Sequence, residues 1–324
     1  MSEFTMKKEE GNFNILMFPW LAHGHISPFL ELAKILSKRT FNIYLCSTAV
    51  NLDSIKISLQ KDSTVINLVP LKIPEMPQLP PLLHTTKNLP THLLPVLFEA
   101  FQNSSSNFSD IINSLKPDLL IYDFFQPWAP KLALSQGIPC VYFATSGATT
   151  YAFFHHFHTN GISSTFPYPE IYLLDYEKVI RARILENIKP DGNDFASGNF
   201  KMSSDIVLVK SCKGIEGKYI DYLSILCNKK ILPTGPLISN ADDEEEEENS
   251  EIVQWLNGKN KYSTVYISFG SENFLSNEQI EEVAKGSKAR KMSEKMKNDE
   301  EQELTQVTEQ LTRLCIKYKH HKGT

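Results

Sequence analysis

The chain has 324 residues, 41% of them hydrophobic and 10% aromatic, and a formal net charge of −5. That length allows one large domain or two of ordinary size, with a sizeable core. The acidic run Asp242 to Glu248 accounts for the negative balance, and the near-neutral remainder excludes a nucleic-acid footprint and a polybasic membrane surface.

Residues 1–11 are polar and read as a disordered leader, with no apolar core of a signal peptide. No run reaches the length of a membrane span. The five cysteines (Cys46, Cys140, Cys212, Cys227, Cys315) are odd in number and widely spaced, which suits a reducing compartment. The expected location is cytoplasmic.

From there, short apolar runs recur: "FNILMF" (13–18), "FNIYLCS" (41–47), "VINLVPL" (65–71), "DLLIYD" (118–123), "PCVYFAT" (139–145), "DIVLVKS" (205–211) and "KILPTG" (230–235). They are near-continuous rather than alternating, as in parallel strands buried on both faces. Between the first two, "SPFLELAKILSKR" predicts a helix with Ser27 as N-cap, Pro28 at the first helical position and an apolar stripe through Leu30, Ala33 and Leu36. The βαβ alternation predicts an α/β fold, a doubly wound, Rossmann-like parallel sheet over 12–240.

Two stretches interrupt it. The proline-rich segment 72–90 reads as an irregular surface loop, and 161–195 as a second long insertion. Residues 241–250 form a solvated acidic linker. A second α/β domain opens over 251–286 with a short helix, a strand at 264–269, a Gly270–Ser271 turn and a further helix. From 287 to 324 the chain turns charged and helical, with Leu304, Val307, Leu311, Leu314 and Tyr318 on one stripe. No later run reads as a buried strand, so the second domain is incomplete.

In a doubly wound sheet, ligands sit beyond the carboxyl ends of the strands. "PWLAHGH" follows the first strand, so His23 or His25 there is a candidate general base, or a surface or capping histidine. Asp123 ends "DLLIYD" on the same rim, followed by the aromatic turn "FFQPW". It is either a strand-end cap or the partner that orients a histidine and stabilises its imidazolium. No nucleophile elbow, G-x-G-x-x-G or P-loop accompanies the pair. A dyad that activates a substrate hydroxyl therefore fits better than covalent catalysis. His155, His156 and His158 lie around a helix surface without a completing Cys or Asp, so no metal site is expected. Trp20, Phe124, Phe125, Trp128 and Phe153 either line an apolar pocket or belong to the core.

Three motifs in this order, "FPWLAHGHISPFLELAKILSKR", "PDLLIYDFFQPWAP" and "STVYISFGSE", resemble the plant UDP-sugar-dependent glycosyltransferases of GT-B fold. The branch that lengthens sugar chains on glycosylated small molecules is the most similar. The resemblance runs over about residues 12–286 and resumes in the tail. It implies one complete GT-B N-terminal domain with remnants of the second, and a tail helix that packs back on the first. It makes His25 the base that deprotonates the acceptor hydroxyl, Asp123 its partner and His23 structural. It puts Ser271, Gly270 and Gly24 on the donor side and Trp20, Phe124, Trp128, Thr145 and Ser146 around the acceptor.

The implied chemistry is an inverting transfer from a UDP-sugar co-substrate, UDP-glucose first, to a small-molecule glycoside of terpenoid, flavonoid or lignan type, with neither metal nor resident cofactor. The family's donor-sugar box, with its Trp-x-x-Gln and His-Cys-Gly-Trp-Asn-Ser signatures, is absent, Trp20, Trp128 and Trp255 being the tryptophans present. The expectation is an acceptor-binding half that is inactive alone. It would be completed by a complementary donor domain or prone to self-association through an exposed seam. The rival expectation is a glycoside-binding module without catalysis.

Overall fold

The computed structural model describes residues 13–39, 41–59, 65–161, 163–179, 198–235, 237, 251–261, 263–264 and 275–286. The leader, the acidic stretch, the Gly270–Ser271 turn, nearly all of the strand expected at 264–269 and the tail helix lie outside these residues. Two compact units meet in sequence between Asn240 and Ala241.

The first unit is built on seven strands: β1 (Phe13–Phe18), β2 (Phe41–Ser47), β3 (Ile66–Pro70), β4 (Leu119–Tyr122), β5 (Cys140–Ala144), β6 (Ile206–Val209) and β7 (Lys230–Pro233). They form one sheet in the order β3-β2-β1-β4-β5-β6-β7, parallel at every pairing. The fold is the doubly wound α/β arrangement that the apolar runs predict, and the strand order reverses between β1 and β4.

Burial on both faces explains why the strands are so uniformly apolar. Leu16 and Phe18 of β1, Leu120 and Tyr122 of β4, and Tyr142 and Ala144 of β5 face the larger core. The alternate residues, Ile15, Met17, Ile121, Val141 and Phe143, face the smaller one. The smaller core is completed by α1 (His23–Ser37) and α2 (Ala49–Leu59) through Phe29, Leu32, Leu52 and Ile55. The larger core takes side chains from α3 (Leu94–Gln102), α4 (Ser105–Leu115), α5 (Trp128–Ser135), α6 (Ala148–Asn160), the short α7 (Gly198–Met202) and α8 (Lys213–Cys227). Each large apolar side chain removed from water there contributes about 1.5–3 kcal/mol.

Three expectations need correction. Helix α1 starts at His23 with Ala22 as N-cap, so Ser27 caps nothing and Pro28 stands inside the helix. The Ala22 carbonyl accepts both His25 N–H and Ile26 N–H at 2.9 Å, which opens the helix one turn earlier than the Ser-Pro pair suggests. The 72–90 segment is irregular, but it is not merely surface: Ile73, Leu79 and Leu89 are buried in the larger core, and single 3-10 turns follow at Pro81–Leu83 and Thr91–Leu93. Prolines carry no N–H, so an irregular chain rich in them reaches the core with fewer donors to satisfy. His155 and His156 are buried on α6 rather than spread over its surface.

The second unit shows α9 (Glu251–Asn257) and α10 (Asn277–Gly286), with the Lys259 ammonium 4.2 Å from the centre of the Trp255 ring. Among the described residues no helix is long and apolar enough to cross a membrane.

Candidate active site

The reversal of strand order between β1 and β4 opens a crevice at their carboxyl ends, the position where doubly wound sheets bind ligands. Two turns border it. The first, Pro19–Ala22, runs from β1 into α1 and delivers His25 on the first turn of the helix. The second, Asp123–Pro127, follows β4 and is held tightly: Gln126 Nε2 donates to the Phe18 carbonyl at 2.5 Å, Gln102 Nε2 to that of Phe125 at 2.8 Å, and Asn199 Nδ2 to that of Phe124 at 2.8 Å. The proline-rich segment braces the first turn, with Thr86 N–H donating to the Leu21 carbonyl at 3.2 Å.

Asp123 is fully buried and its carboxylate receives three N–H groups. Trp20 N–H reaches Oδ2 at 2.9 Å, Phe124 N–H reaches Oδ1 at 2.7 Å, and His25 Nδ1 lies 2.7 Å from Oδ2. A buried carboxylate needs this many donors to be tolerated as an anion. Two of the donors are backbone groups of the rim itself, so the charge fixes both turns as well as the imidazole. With Nδ1–H given to the carboxylate, the lone pair falls on Nε2, on the far side of the ring. Thr145, just past the end of β5, places Oγ1 3.2 Å from the same Nδ1.

The aromatic surroundings divide in two. Trp20 is buried against Phe98 of α3, Phe101 and Phe125, and the Phe125 ring lies 5.7 Å from the imidazole. Phe124 packs edge-on against Phe125 at 5.0 Å. Trp128 is half-buried and packs its ring on the core residues Phe18, Phe101 and Phe108. Phe153 is core, against Phe157 and Phe166. Ser146 is exposed on the rim. Beneath it, the Tyr142 and Tyr151 hydroxyls lie 3.2 Å apart, and burial pushes Tyr151 up to about 12, so both stay protonated.

Gly24 is exposed, and a Cβ there would meet no atom within 4 Å, so packing against the rest of the chain does not require glycine. His23 is exposed as well. His156 meets Tyr222 OH at 2.6 Å and Ser164 Oγ at 2.9 Å; burial holds it below its ordinary range, which leaves a neutral, hydrogen-bonded core histidine. Among the described residues no group of three or more His, Cys, Asp or Glu is arranged to hold a metal ion.

Sequence reasoning did not single out Phe98, which lies beside the buried stripe Leu97, Ala100 and Phe101 of α3 and meets Trp20 and Phe125 from distant parts of the chain. It also passed over Glu216, which reaches the rim from α8. Its carboxylate accepts Ala148 N–H at 3.0 Å, Thr149 N–H at 2.9 Å and Thr149 Oγ1–H at 2.6 Å, together with the Ser211 hydroxyl. No sequence signal marks a contact across 68 residues.

A family model, "Glycosyltransferase, N-terminal domain", matches residues 12–239. Mogroside IIIx synthase of Siraitia grosvenorii is 47% identical over 283 residues, 85% of this chain and 62% of that protein. Beta-D-glucosyl crocetin beta-1,6-glucosyltransferase of Gardenia jasminoides is 46% identical, over 83% of this chain and 62% of that protein. A protein of Glycine max named inactive UDP-glycosyltransferase 79A6 is 30% identical, over 88% of this chain and 93% of its own length. Of the solved structures, UGT73P12 of Glycyrrhiza uralensis, complexed with glycyrrhetinic acid 3-O-monoglucuronide, superposes with a TM-score of 0.65 at 19% identity, over 84% of this chain and 59% of that one; at that identity the likeness speaks for the fold alone. The chain thus spans about 62% of the length of the curated relatives it matches best among those named.

Proposed function

The chain belongs to the plant UDP-glycosyltransferase family, and we propose that it is an acceptor half whose His25–Asp123 pair activates a hydroxyl of a small-molecule glycoside for inverting transfer from a UDP-sugar. The observation that carries this reading is the 2.7 Å contact between His25 Nδ1 and a fully buried carboxylate, at the crevice where the strand order reverses. His25 Nε2 takes the proton of the acceptor hydroxyl, and the oxygen attacks the anomeric carbon as the bond to UDP breaks. UDP leaves with the bonding pair and the anomeric configuration inverts. Asp123 holds the ring and stabilises the imidazolium. Trp20, Phe125 and Phe124 offer the apolar wall against which a glycoside lies, and Thr145 and Ser146 its polar edge.

A glycoside acceptor is favoured by the relative whose name states that it glucosylates a glucosyl crocetin. UDP-glucose is the first donor to test. Gly270 and Ser271, which fall outside the described residues, and Gly24 are the proposed donor-side residues. Neither a donor-sugar box nor its tryptophan signatures occur in these 324 residues, so on this reading turnover by them alone is negligible and is restored when a donor domain is supplied. The free thiols Cys46, Cys140, Cys212 and Cys227 suit a cytoplasmic location.

The relative named as inactive, of which this chain spans 93%, favours a second reading: a glycoside-binding module without catalysis. Mass spectrometry separates the two. UDP-glucose and a panel of plant glycosides are incubated with the chain, with and without the donor domain of a relative, each beside His25→Ala. Product in the complemented mixture alone, lost in the variant, upholds the acceptor half. Glycoside binding without product in any mixture upholds the binding module, and product from the chain alone refutes the claim of inactivity.

A further inference from the structure

Helix α6 starts at the carboxyl end of β5, beside the crevice, and Tyr151 closes its first turn. Long side chains on a helix lean back toward its N-terminus. The Tyr151 ring therefore packs on Tyr142 of β5 and Phe200 of α7, with ring centres 6.2 and 5.8 Å away, and carries its hydroxyl up toward the rim. Two further observations agree. Ser146, exposed on the rim, turns its hydroxyl and its N–H toward the Tyr151 oxygen. The charge of Asp123 is felt at the phenols of Tyr142 and Tyr151 alike, so both stand near the carboxylate that holds His25.

The two phenols differ in what they need. Tyr142 is fully buried, and its hydroxyl has one partner among the described residues, the Tyr151 hydroxyl at 3.2 Å. A buried O–H without an acceptor is costly, so Tyr142 donates and Tyr151 accepts. Tyr151 is only half-buried. Its oxygen is occupied from the inner side by Tyr142 and Ser146, and among the described residues no acceptor faces its own proton. That proton is left for the crevice. Burial keeps it in place by raising Tyr151 to about 12, and a hydroxyl that accepts hydrogen bonds is polarised into a better donor.

We propose that Tyr151 is a further acceptor-binding residue, whose O–H donates a hydrogen bond to an oxygen of the sugar that carries the attacking hydroxyl. This rests on the reading of the chain as an acceptor half for glycosides. The turns after β1 and β4 bring the apolar side chains Trp20, Phe124 and Phe125, which suit the aglycone. The turn after β5 and the first turn of α6 bring the hydroxyls of Thr145, Ser146 and Tyr151, which suit a sugar. That polar side reaches the base itself, since Thr145 Oγ1 lies 3.2 Å from His25 Nδ1.

Isothermal calorimetry on the whole chain tests the assignment, with beta-D-glucosyl crocetin and a flavanone 7-O-glucoside as probes, each beside its aglycone. Tyr151→Phe should bind the glycosides about tenfold more weakly, the net worth of one hydrogen bond, and the aglycones as wild type does. That change also strands the buried Tyr142 O–H and should lower Tm. A second variant therefore joins it to Tyr142→Phe, which removes the stranded group. The double variant should regain thermal stability and keep the tenfold loss. Wild-type glycoside affinity in the double variant, or an equal loss for glycoside and aglycone, would overturn the proposal and leave Tyr151 a packing residue. A wild type that binds neither glycoside refutes glycoside recognition, and this proposal with it; glycoside binding that ignores Tyr151 refutes the proposal alone.

Discussion

Replacing Asp123 with Asn removes the charge at the centre of the rim with almost no change of shape. The carboxylate offers two acceptor oxygens to three N–H groups, from Trp20, His25 and Phe124; an amide offers one. If its oxygen faces Trp20 and His25, its NH2 opposes the Phe124 N–H. If it is turned over, Trp20 N–H loses its acceptor and His25 must move its proton to Nε2 to accept from the amide, which removes the lone pair from where a base needs it. Either way at least one buried or half-buried N–H is left unpaired, at about 1–3 kcal/mol. The surviving bonds weaken from charge-assisted to neutral, while the cost of burying a charge is relieved. The net loss is about 2 kcal/mol, read as a fall in Tm of roughly 4–8 °C for a unit of this size. In the complemented enzyme the rate should fall by about 10⁴, the cost of the wrong tautomer in a comparable histidine–carboxylate pair of another enzyme. The assays are thermal denaturation followed by circular dichroism, and product formation at saturating donor. An Asn variant with wild-type Tm and a rate within tenfold would refute the view that this carboxylate orders the rim and fixes the base.

Four further outcomes are expected. The hydrogen bonds from Ser211, Thr149 and Ala148 outweigh burial and hold Glu216 below the ordinary carboxylate range. Its contribution to stability is therefore complete above about pH 4.5 and lost as pH falls through the lowered value; urea titrations should show Glu216→Gln losing less stability than wild type on acidification across that window. Burial pushes the Cys140 thiol up to about 12 and raises Cys46 further, so iodoacetamide mapping of the native chain should leave both unmodified until denaturant is added. Phe18→Ala, which removes a fully buried ring packed 4.3 Å from Phe108 and against Phe101 and Trp128, should cost about 3–5 kcal/mol in denaturant midpoints. Trp128→Phe should lower stability yet leave glycoside affinity unchanged by calorimetry, because the half-buried ring packs on Phe18, Phe101 and Phe108; a lost glycoside affinity would put Trp128 on the acceptor wall.

The strands were readable because a parallel sheet leaves no face wet. β1 and β2 have the bounds of their apolar runs, and the others are shorter by a residue or two at the ends, where turns take over. The pairing of His25 with Asp123 could be anticipated from two strand ends on one rim, a consequence of topology rather than of spacing. Most of what escaped was set by partners distant in sequence, the start of α1 being the local exception. Ser27 and Pro28 carry a strong local start signal, but the Ala22 carbonyl was already placed to begin the helix a turn earlier. The 72–90 segment looks like surface until its leucines are seen filling the larger core. His155 and His156 look like a polar cluster until Tyr222 and Ser164 are found on His156. Glu216 is one acidic residue in a polar helix start, and only the fold brings it to the α6 N-terminus.

All seven strands of the sheet lie between Phe13 and Pro233, so no ladder described here is shared with residues past Asn240. A crossover between related genes in the 241–250 stretch would break none of these backbone pairings and disturb neither Asp123 nor its three donors. On the proposed reading, a laboratory chimera joined in that stretch should keep the His25–Asp123 contact and its backbone donors intact, which thermal denaturation of the chimera would check.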